Sequence, residues 1–164
     1  MTIGLISDTH GLFSPEFREF FSGVDEIWHA GDFGGGLETA REIAAFRPLV
    51  GVCGNCDSRD LLPEYPMHQF FEREGAKILM THIGGYPGKY DIRARALIDS
   101  FRPDIFVCGH SHILKVMYDE RFNMMTLNPG AAGLQGWHVV RTALRFNLSE
   151  GRLSDMEVFN LPRK

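Results

Sequence analysis

The sequence of 164 residues has few cysteines and no long apolar segment. Cys53, Cys56 and Cys108 are odd in number and lack the paired spacing of a zinc finger, so we expect neither a disulfide framework nor a structural zinc site. No apolar run approaches the ~20 residues that a bilayer span requires, and the first apolar stretch lacks the basic leader of a signal peptide. These absences predict a cytoplasmic protein without membrane contact.

Basic residues are also fewer than acidic ones, 17 against 21, which gives a formal net charge of -4. The chain therefore has no strong nucleic-acid footprint, although a nucleotide-sized substrate stays compatible if bound metal ions supply positive charge. Neither a P-loop nor a G-x-S-x-G elbow is present. The glycines at residues 34–36 lack the Lys-Ser/Thr ending of a P-loop.

The sequence does contain alternating strand and helix patterns, and its length suits a single domain over residues 1–164. The spacing predicts strands over residues 3–7, 26–30, 49–53, 69–72, 77–81, 104–108, 115–119, 124–127, 139–147 and 152–160. It predicts helices over residues 15–21, 37–46 and 90–101, the first with Ser14 as N-cap. In the last helix we expect one buried face, made of Ile92, Ala96, Leu97 and Phe101. The pattern indicates an α/β domain with a β-rich C-terminal third.

Polar residues that can bind metals follow the ends of five predicted strands. They are Asp8, His10, Asp32, Asn55, His82, His110 and His112. Taken singly each signal is weak, because Asp8 could cap a turn and His82 could be a hydrogen-bonded core histidine. His110 and His112 in one glycine-opened loop are a stronger signal. Since ligands of α/β sheets bind at the carboxyl ends of strands, we expect these side chains to meet at one site.

The order D-x-H, G-D, G-N, H and G-H-x-H resembles that of the calcineurin-like metallophosphoesterase superfamily. The small size, Gly-Asn-Cys-Asp at residues 54–57 and Asn-Pro-Gly at residues 128–130 are similar to its YfcE/MJ0936-type branch of small phosphodiesterases. The resemblance implies an αββα sandwich, with two mixed β-sheets flanked by helices. It also implies hydrolysis of small phosphodiesters by attack of a metal-bound hydroxide, without a covalent enzyme intermediate.

The resemblance also implies a ligand set for two divalent metal ions. One ion would be held by Asp8, His10, Asp32 and His112, and the other by Asp32, Asn55, His82 and His110. Asp32 would bridge the ions, and His110, Asp32 and Asn55 would be catalytic. Oxygen and imidazole donors suit Mn²⁺, our first choice, and also Ni²⁺, Fe²⁺, Co²⁺ or Zn²⁺.

Cys56 departs from many relatives, which carry histidine after the asparagine. A thiol is a poorer proton donor to a leaving alkoxide, so we expect diesters to be preferred over monoesters. The simpler alternative is that Cys56 only fills space. We also assign Cys56, Gly84 and Arg59 to substrate binding. Asp57 would orient a neighbouring group or form a turn, His29 would support the ligands from behind, and His68 and His138 would be peripheral.

Two alternatives stay open. The same ligands would serve a phosphomonoesterase acting on nucleotides or proteins. Vps29-type relatives share the size and strand order but act as scaffolds, and the complete set of seven expected ligands argues against that role here. The expected partner is a small phosphodiester, and the resemblance is also compatible with a homo-oligomer.

Overall fold

A computed structural model describes residues 1–163. The strands are β1 (Thr2–Ile6), β2 (Glu26–His29), β3 (Leu49–Gly51), β4 (His68–Arg73), β5 (Ala76–Thr81), β6 (Gly85–Tyr86), β7 (Lys89–Tyr90), β8 (Ile105–Val107), β9 (Leu114–Asp119), β10 (Met124–Pro129), β11 (Val140–Ser149) and β12 (Arg152–Pro162). The helices are α1 (Pro15–Phe20), α2 (Leu37–Phe46) and α3 (Ile92–Phe101), with a 3₁₀ turn at Arg59–Leu61.

Ten of the strands form two five-stranded mixed sheets. The first has the order β12-β11-β1-β2-β3, and the second has the order β4-β5-β8-β10-β9. Strands β1, β2 and β3 are parallel, as are β5, β8 and β10, while the outer strands join antiparallel. The remaining pair, β6 and β7, forms a small hairpin.

The two sheets face each other across a shared apolar core. Alternation along the strands sends Leu5 and Trp28 of the first sheet and Met80 of the second into this layer. The opposite face of the first sheet packs on α1 and α2, where Phe17 is fully buried beside Ile27. Helix α3 covers the second sheet through Ala94 and Ile98. The predicted αββα sandwich is therefore confirmed.

This topology brings the ends of several parallel strands to the same edge of the sandwich. Backbone hydrogen bonds tie the loops that follow them: the N–H of Asp8 donates to the carbonyl of Gly31 over 2.9 Å, and that of Gly109 donates to His82 over 2.9 Å. The second bond joins the loop after β5 to the loop after β8. The loops that carry the candidate ligands thus form one connected surface.

Three local predictions were wrong or incomplete. Helix α3 begins at Ile92, after the N-cap Asp91, which accepts hydrogen bonds from the N–H groups of Arg93 and Ala94, and it buries Ala94 and Ile98. Ile92 is consequently 87% exposed and Ala96 is exposed, so the predicted apolar face is shifted. Tyr90 lies in β7, outside the helix. Ser14 is the N-cap residue of α1, as predicted, but its hydroxyl accepts a hydrogen bond from Arg141 and makes no capping bond to the helix.

Within residues 1–163, every helix is too short or too polar for a membrane span.

Candidate metal centre

Asp8 is fully buried just after β1, with each carboxylate oxygen in a different environment. Oδ2 accepts hydrogen bonds from the Ser7 hydroxyl over 2.6 Å and from the backbone N–H of His110 over 3.1 Å. Oδ1 faces the Nε2 atom of His112 at 3.2 Å. Burial raises the pKa of Asp8, but the hydrogen bond with His112 and the charge of His82 outweigh it and lower this pKa below its usual value. The carboxylate is held charged in a buried position.

Asp32 lies after β2 and repeats this arrangement. Its Oδ1 atom accepts the N–H of Cys56 over 2.8 Å, while Oδ2 lies 3.1 Å from Nε2 of His82 and 3.7 Å from Nε2 of His10. Burial raises the pKa of Asp32, but the contact with His82 and the hydrogen bond from the Cys56 N–H outweigh burial and lower this pKa to about 2. Oδ2 therefore faces two imidazoles that belong to different proposed metal positions.

His82 completes the buried part of the site. Its Nδ1 atom lies 2.7 Å from the carbonyl of Ala30 and donates to it, so in the neutral ring the free lone pair is on Nε2. Nε2 is buried beside Asp32 and 3.8 Å from Asp8 Oδ1, yet no contact in residues 1–163 has hydrogen-bond geometry. Burial lowers the pKa of His82, but the two aspartates raise it above its usual value. The pocket is thus built to hold positive charge.

The remaining predicted ligands lie nearer the solvent. His10 and His112 are half-buried, whereas Asn55 and His110 are exposed, with Asn55 Oδ1 and His110 Nδ1 3.1 Å apart. The rings of His82 and His110 lie 5.2 Å apart. We call Asp8, Asp32 and His82 the floor of the centre. The rim comprises His10, Asn55, Cys56, His110 and His112.

Donor atoms of these residues form three groups with the spacing of a metal site. In each group the atoms lie within 4.8 Å of one another: Asp8, His10 and His112; His10, Asp32 and Cys56; and Asp8, Asp32 and His82. Asn55 and His110 join this assembly through the contacts described above. The structure therefore brings all seven predicted side chains together and adds the sulfur of Cys56.

Backbone conformation aims several of these side chains. Five of the predicted ligands have positive φ: Asp8 (54°), His10 (45°), Asp32 (58°), His110 (69°) and His112 (63°). Each such residue other than glycine costs on the order of 1 kcal/mol. Strain of this kind concentrates at functional sites, where the surrounding structure maintains it.

Side chains outside the ligand set hold the loops in place. The carboxylate of Asp57 accepts N–H groups of Gly54 and Gly34 over 2.8 and 3.0 Å, which favours the orienting role over a simple turn. Asn128 donates to the carbonyl of Gly109 and the hydroxyl of Ser111 over 3.0 and 3.1 Å. This contribution of Asn128 was not anticipated from the sequence, where the Asn-Pro-Gly turn was only a family marker.

His29 lies beneath the floor and is fully buried. Its Nδ1 atom accepts the N–H of Gly31 over 3.1 Å, so the proton lies on Nε2, which donates to the hydroxyl of Thr9 over 3.0 Å. The hydroxyl in turn donates to the carbonyl of Phe33. Burial lowers the pKa of His29 to about 3, because the charged ring would be cut off from water. The predicted supporting role fits this neutral, fixed ring.

His138 is not peripheral, in contrast to the sequence prediction. Its ring packs edge-on against His112 at 5.1 Å, and Nε2 donates to the carbonyl of Gly133 over 2.8 Å. The loop that carries it also presents Trp137, which is 99% exposed and lines a groove with His110 and His112. Contacts of this kind depend on how distant loops meet, and the spacing of histidines along the chain carries no signal for them.

The predicted substrate-binding residues take three different positions. Cys56 lies in the rim. Gly84 is buried, and a Cβ there would come within 2.6 Å of Cys108 Cβ, so its missing side chain allows core packing as well as lining a groove beside His110. Arg59 is exposed in the 3₁₀ turn and lines none of the grooves described next to the centre.

Comparisons with known proteins agree with this geometry. The family model described as the calcineurin-like phosphoesterase superfamily domain matches residues 1–151. Zinc-bound Vps29 from Entamoeba histolytica has a similar structure (TM-score 0.74, 18% identity, 100% of both chains covered). The Thermotoga maritima protein TM1076 is also similar, with a TM-score of 0.71, 25% identity, and coverage of 98% of this chain and 99% of that chain. A predicted phosphoesterase from Streptococcus pneumoniae TIGR4 has a TM-score of 0.65, 22% identity, and coverage of 99% of this chain and 89% of that chain. Among curated proteins, none matches.

Proposed function

The chain belongs to the calcineurin-like phosphoesterase superfamily, and from this premise we propose that it hydrolyses small phosphodiesters with two divalent metal ions. The observation that carries the proposal is the floor. It contains a buried imidazole nitrogen without a hydrogen-bond partner in residues 1–163, directed at two ionised carboxylates. A buried polar atom left unpaired is costly, and a cation at this point would satisfy it.

The donor set fits such ions. Asp8, His10 and His112 would hold one ion, and Asn55, His82 and His110 would hold the other, with Asp32 Oδ2 facing both groups. Bound divalent ions supply Lewis acidity, which lowers the pKa of water and offsets phosphate charge. Carboxylate, imidazole and amide donors are compatible with Mn²⁺, which we retain as the proposed metal.

The rim favours a diester over a monoester. Burial raises the pKa of the Cys56 thiol, and the charge of Asp32 raises it further, so this group is a poor acid for a leaving alkoxide. It also brings no positive charge to a dianionic phosphate. A diester carries one charge fewer and, with a good leaving group, depends less on protonation. The phosphomonoesterase alternative uses the same ligands and is separated from the proposal by assay.

Apolar groups beside the rim suit an organic substituent on the phosphate. Ile113 and Trp137 are exposed and line the groove of about 360 Å³ that adjoins His110 and His112. On the other side of His110, a groove of about 330 Å³ includes Lys89 and Lys115. These dimensions fit a small diester whose substituents flank the phosphate.

A scaffold without catalysis is the alternative from another class, since Vps29 shares the fold. Scaffolding does not require buried carboxylates, an unpaired buried imidazole nitrogen and strained backbone at five ligand positions.

We also propose that residues 1–164 form one domain, because β12 lies beyond the matched residues 1–151 yet pairs with β11.

The test is a metal-by-substrate screen on metal-stripped protein. Bis-p-nitrophenyl phosphate and p-nitrophenyl phosphate are assayed in parallel with each of Mn²⁺, Ni²⁺, Fe²⁺, Co²⁺ and Zn²⁺. We expect turnover only after metal addition, with the higher kcat/KM on the diester. A higher value on the monoester would favour the phosphomonoesterase, and no turnover with any metal would favour the scaffold.

A further inference from the structure

The three cysteines of the chain differ in their surroundings. Cys53 and Cys108 are buried in the apolar clusters, whereas Cys56 is exposed. The Cys56 sulfur lies within 4.8 Å of donor atoms of His10 and Asp32, and these two donors are themselves within that distance of each other. This sulfur is therefore part of a group with the spacing of a metal site.

Several hydrogen bonds hold the loop that carries Cys56, and one of them reaches its sulfur. The N–H of Cys56 donates to Asp32 Oδ1 over 2.8 Å, which ties the residue to the proposed bridging carboxylate. The side-chain amide of Asn55 donates to the sulfur over 3.6 Å. Asp57 anchors the same loop through the N–H of Gly54. An N–H directed at the sulfur stabilises negative charge on it, as hydrogen bonds around metal ligands commonly do.

A second observation points to a cation at this place. Oδ2 of Asp32 lies between the imidazoles of His10 and His82, and the buried Nε2 atom of His82 lacks a hydrogen-bond partner in the described chain. A cation beside His82 would therefore share the Asp32 carboxylate with the group that contains the Cys56 sulfur. Space-filling alone does not require the sulfur to face this group.

We propose that the sulfur of Cys56 is an additional ligand of the ion held by His10 and Asp32, and that it shifts the metal preference of the centre towards thiophilic ions. The inference rests on the proposed function, because it assumes that the centre binds metal. On binding, a sulfur–metal bond forms, the S–H bond breaks and the proton passes to solvent.

The expected consequence is selective. Thiolate favours Zn²⁺ and Co²⁺ over Mn²⁺, which prefers oxygen and nitrogen donors. Loss of the sulfur should therefore weaken Zn²⁺ binding more than Mn²⁺ binding. Loss of a residue that only supports a ligand costs roughly 10–100-fold in metal affinity, so we expect at least a 10-fold loss for Zn²⁺.

The first test is a Co²⁺ titration of metal-stripped protein, followed by absorption spectroscopy. Visible d–d bands report that the ion is bound, and a near-ultraviolet charge-transfer band reports a sulfur ligand. We expect both in the unmodified chain. In Cys56→Ser we expect d–d bands without the charge-transfer band, whereas Cys53→Ser, which changes a buried thiol three residues away, should keep both.

The outcomes separate the two proposals. Visible bands without charge transfer in the unmodified protein, or charge transfer that persists in Cys56→Ser, would overturn the sulfur ligand and leave the metal centre standing. Failure to bind Co²⁺ or any other divalent ion would overturn the proposed function itself.

A competition experiment provides the second measurement. Calorimetric titration with Zn²⁺ and with Mn²⁺ gives the ratio of the two dissociation constants. We expect Cys56→Ser to reduce the preference for Zn²⁺ at least 10-fold, as reasoned above. An unchanged ratio would show that the sulfur does not bind the ion.

Discussion

The floor and the rim of the centre differ in how far the protein determines them. In the floor, Asp8, Asp32 and His82 are buried, and each uses one polar atom to bind the protein while the other faces the centre. In the rim, Asn55, Cys56 and His110 are exposed, and the side chain of Asn55 contacts those of the other two. The floor is preorganised to hold positive charge, whereas the rim is accessible to a substrate that enters from solvent.

This difference suggests a division of labour. Changes in the floor should affect metal binding and all substrates alike, because the two carboxylates and His82 are buried. Changes in the rim should alter the choice of metal or substrate and leave the floor assembled. Substitutions in each region can test this division.

The largest effect is expected from Asp32→Asn in the floor. The change removes the charge that faces both His10 and His82 but keeps the shape of the side chain. We expect kcat/KM on a diester to fall roughly 10³-fold or more, since a metal contributes several kcal/mol to such reactions. Calorimetry should show weaker binding of both ions.

The matched control is Asp60→Asn, which removes an exposed carboxylate in the 3₁₀ turn. It should retain activity. Stoichiometric metal and near-normal turnover in Asp32→Asn would contradict its position between the ions.

The next effect comes from Gly54→Ala, which touches the floor indirectly. A Cβ at Gly54 would lie 2.1 Å from Asp32 Oδ1, so the carboxylate must move. We expect a loss of roughly 10–100-fold in metal affinity, as for other residues that orient ligands. Gly23→Ala is the control, because nothing lies within 4 Å of a Cβ there. Equal metal affinity in the two variants would show that the floor tolerates displacement.

A smaller and more selective effect is expected from Cys56→His in the rim. An imidazole there would supply a proton donor and positive charge beside the phosphate. We expect the ratio of monoesterase to diesterase kcat/KM to rise roughly 10-fold or more, at the lower end of what acid catalysis provides. The two p-nitrophenyl substrates measure this ratio. A ratio that falls or stays constant would refute the argument about the missing acid.

The smallest effect concerns stability, through His29 beneath the floor. The unfolded chain takes up a proton with pKa near 6.5, whereas folded His29 does so only at about 3. The contribution of His29 to stability is therefore present above pH 6.5 and is lost progressively as pH falls towards 3. Between about pH 7.5 and about pH 5.5 the loss is about 1.4 kcal/mol.

Chemical denaturation of metal-free protein at the two pH values measures this loss, and His29→Gln provides the comparison. The variant lacks a titrating group at this position, so its unfolding free energy should depend less on pH by the same amount. Parallel pH dependences in the two proteins would show that His29 is not the origin.

The sequence was sufficient for the arrangement of the sandwich and for the proximity of the seven side chains predicted to bind metal. The reason is that strand alternation and strand-end polar residues, such as Asp8 and Asp32, are local patterns with a fixed spatial consequence. The segment at residues 54–57 also predicted a functional role for Cys56.

Other features depend on tertiary contacts that no local pattern encodes. The buried face of α3 was set by the packing of Ala94 and Ile98 on the second sheet, and the β6–β7 hairpin formed where no element was predicted. His138 reached His112 because the loop after β10 folds back over the rim. Positive φ at Asp8 or Asp32 is likewise imposed by the surrounding loops, since aspartate alone does not require it.

The place of β1 in its sheet has a consequence for biosynthesis. This strand precedes Asp8 and lies between β2 and β11, with Thr2 opposite Asn147 and Leu5 opposite Leu144. A ribosome makes β1 long before β11, so the sheet cannot close until residues 140–149 have been synthesised. A chain that stops before residue 140 would therefore expose the unpaired edge of β1 to misassociation.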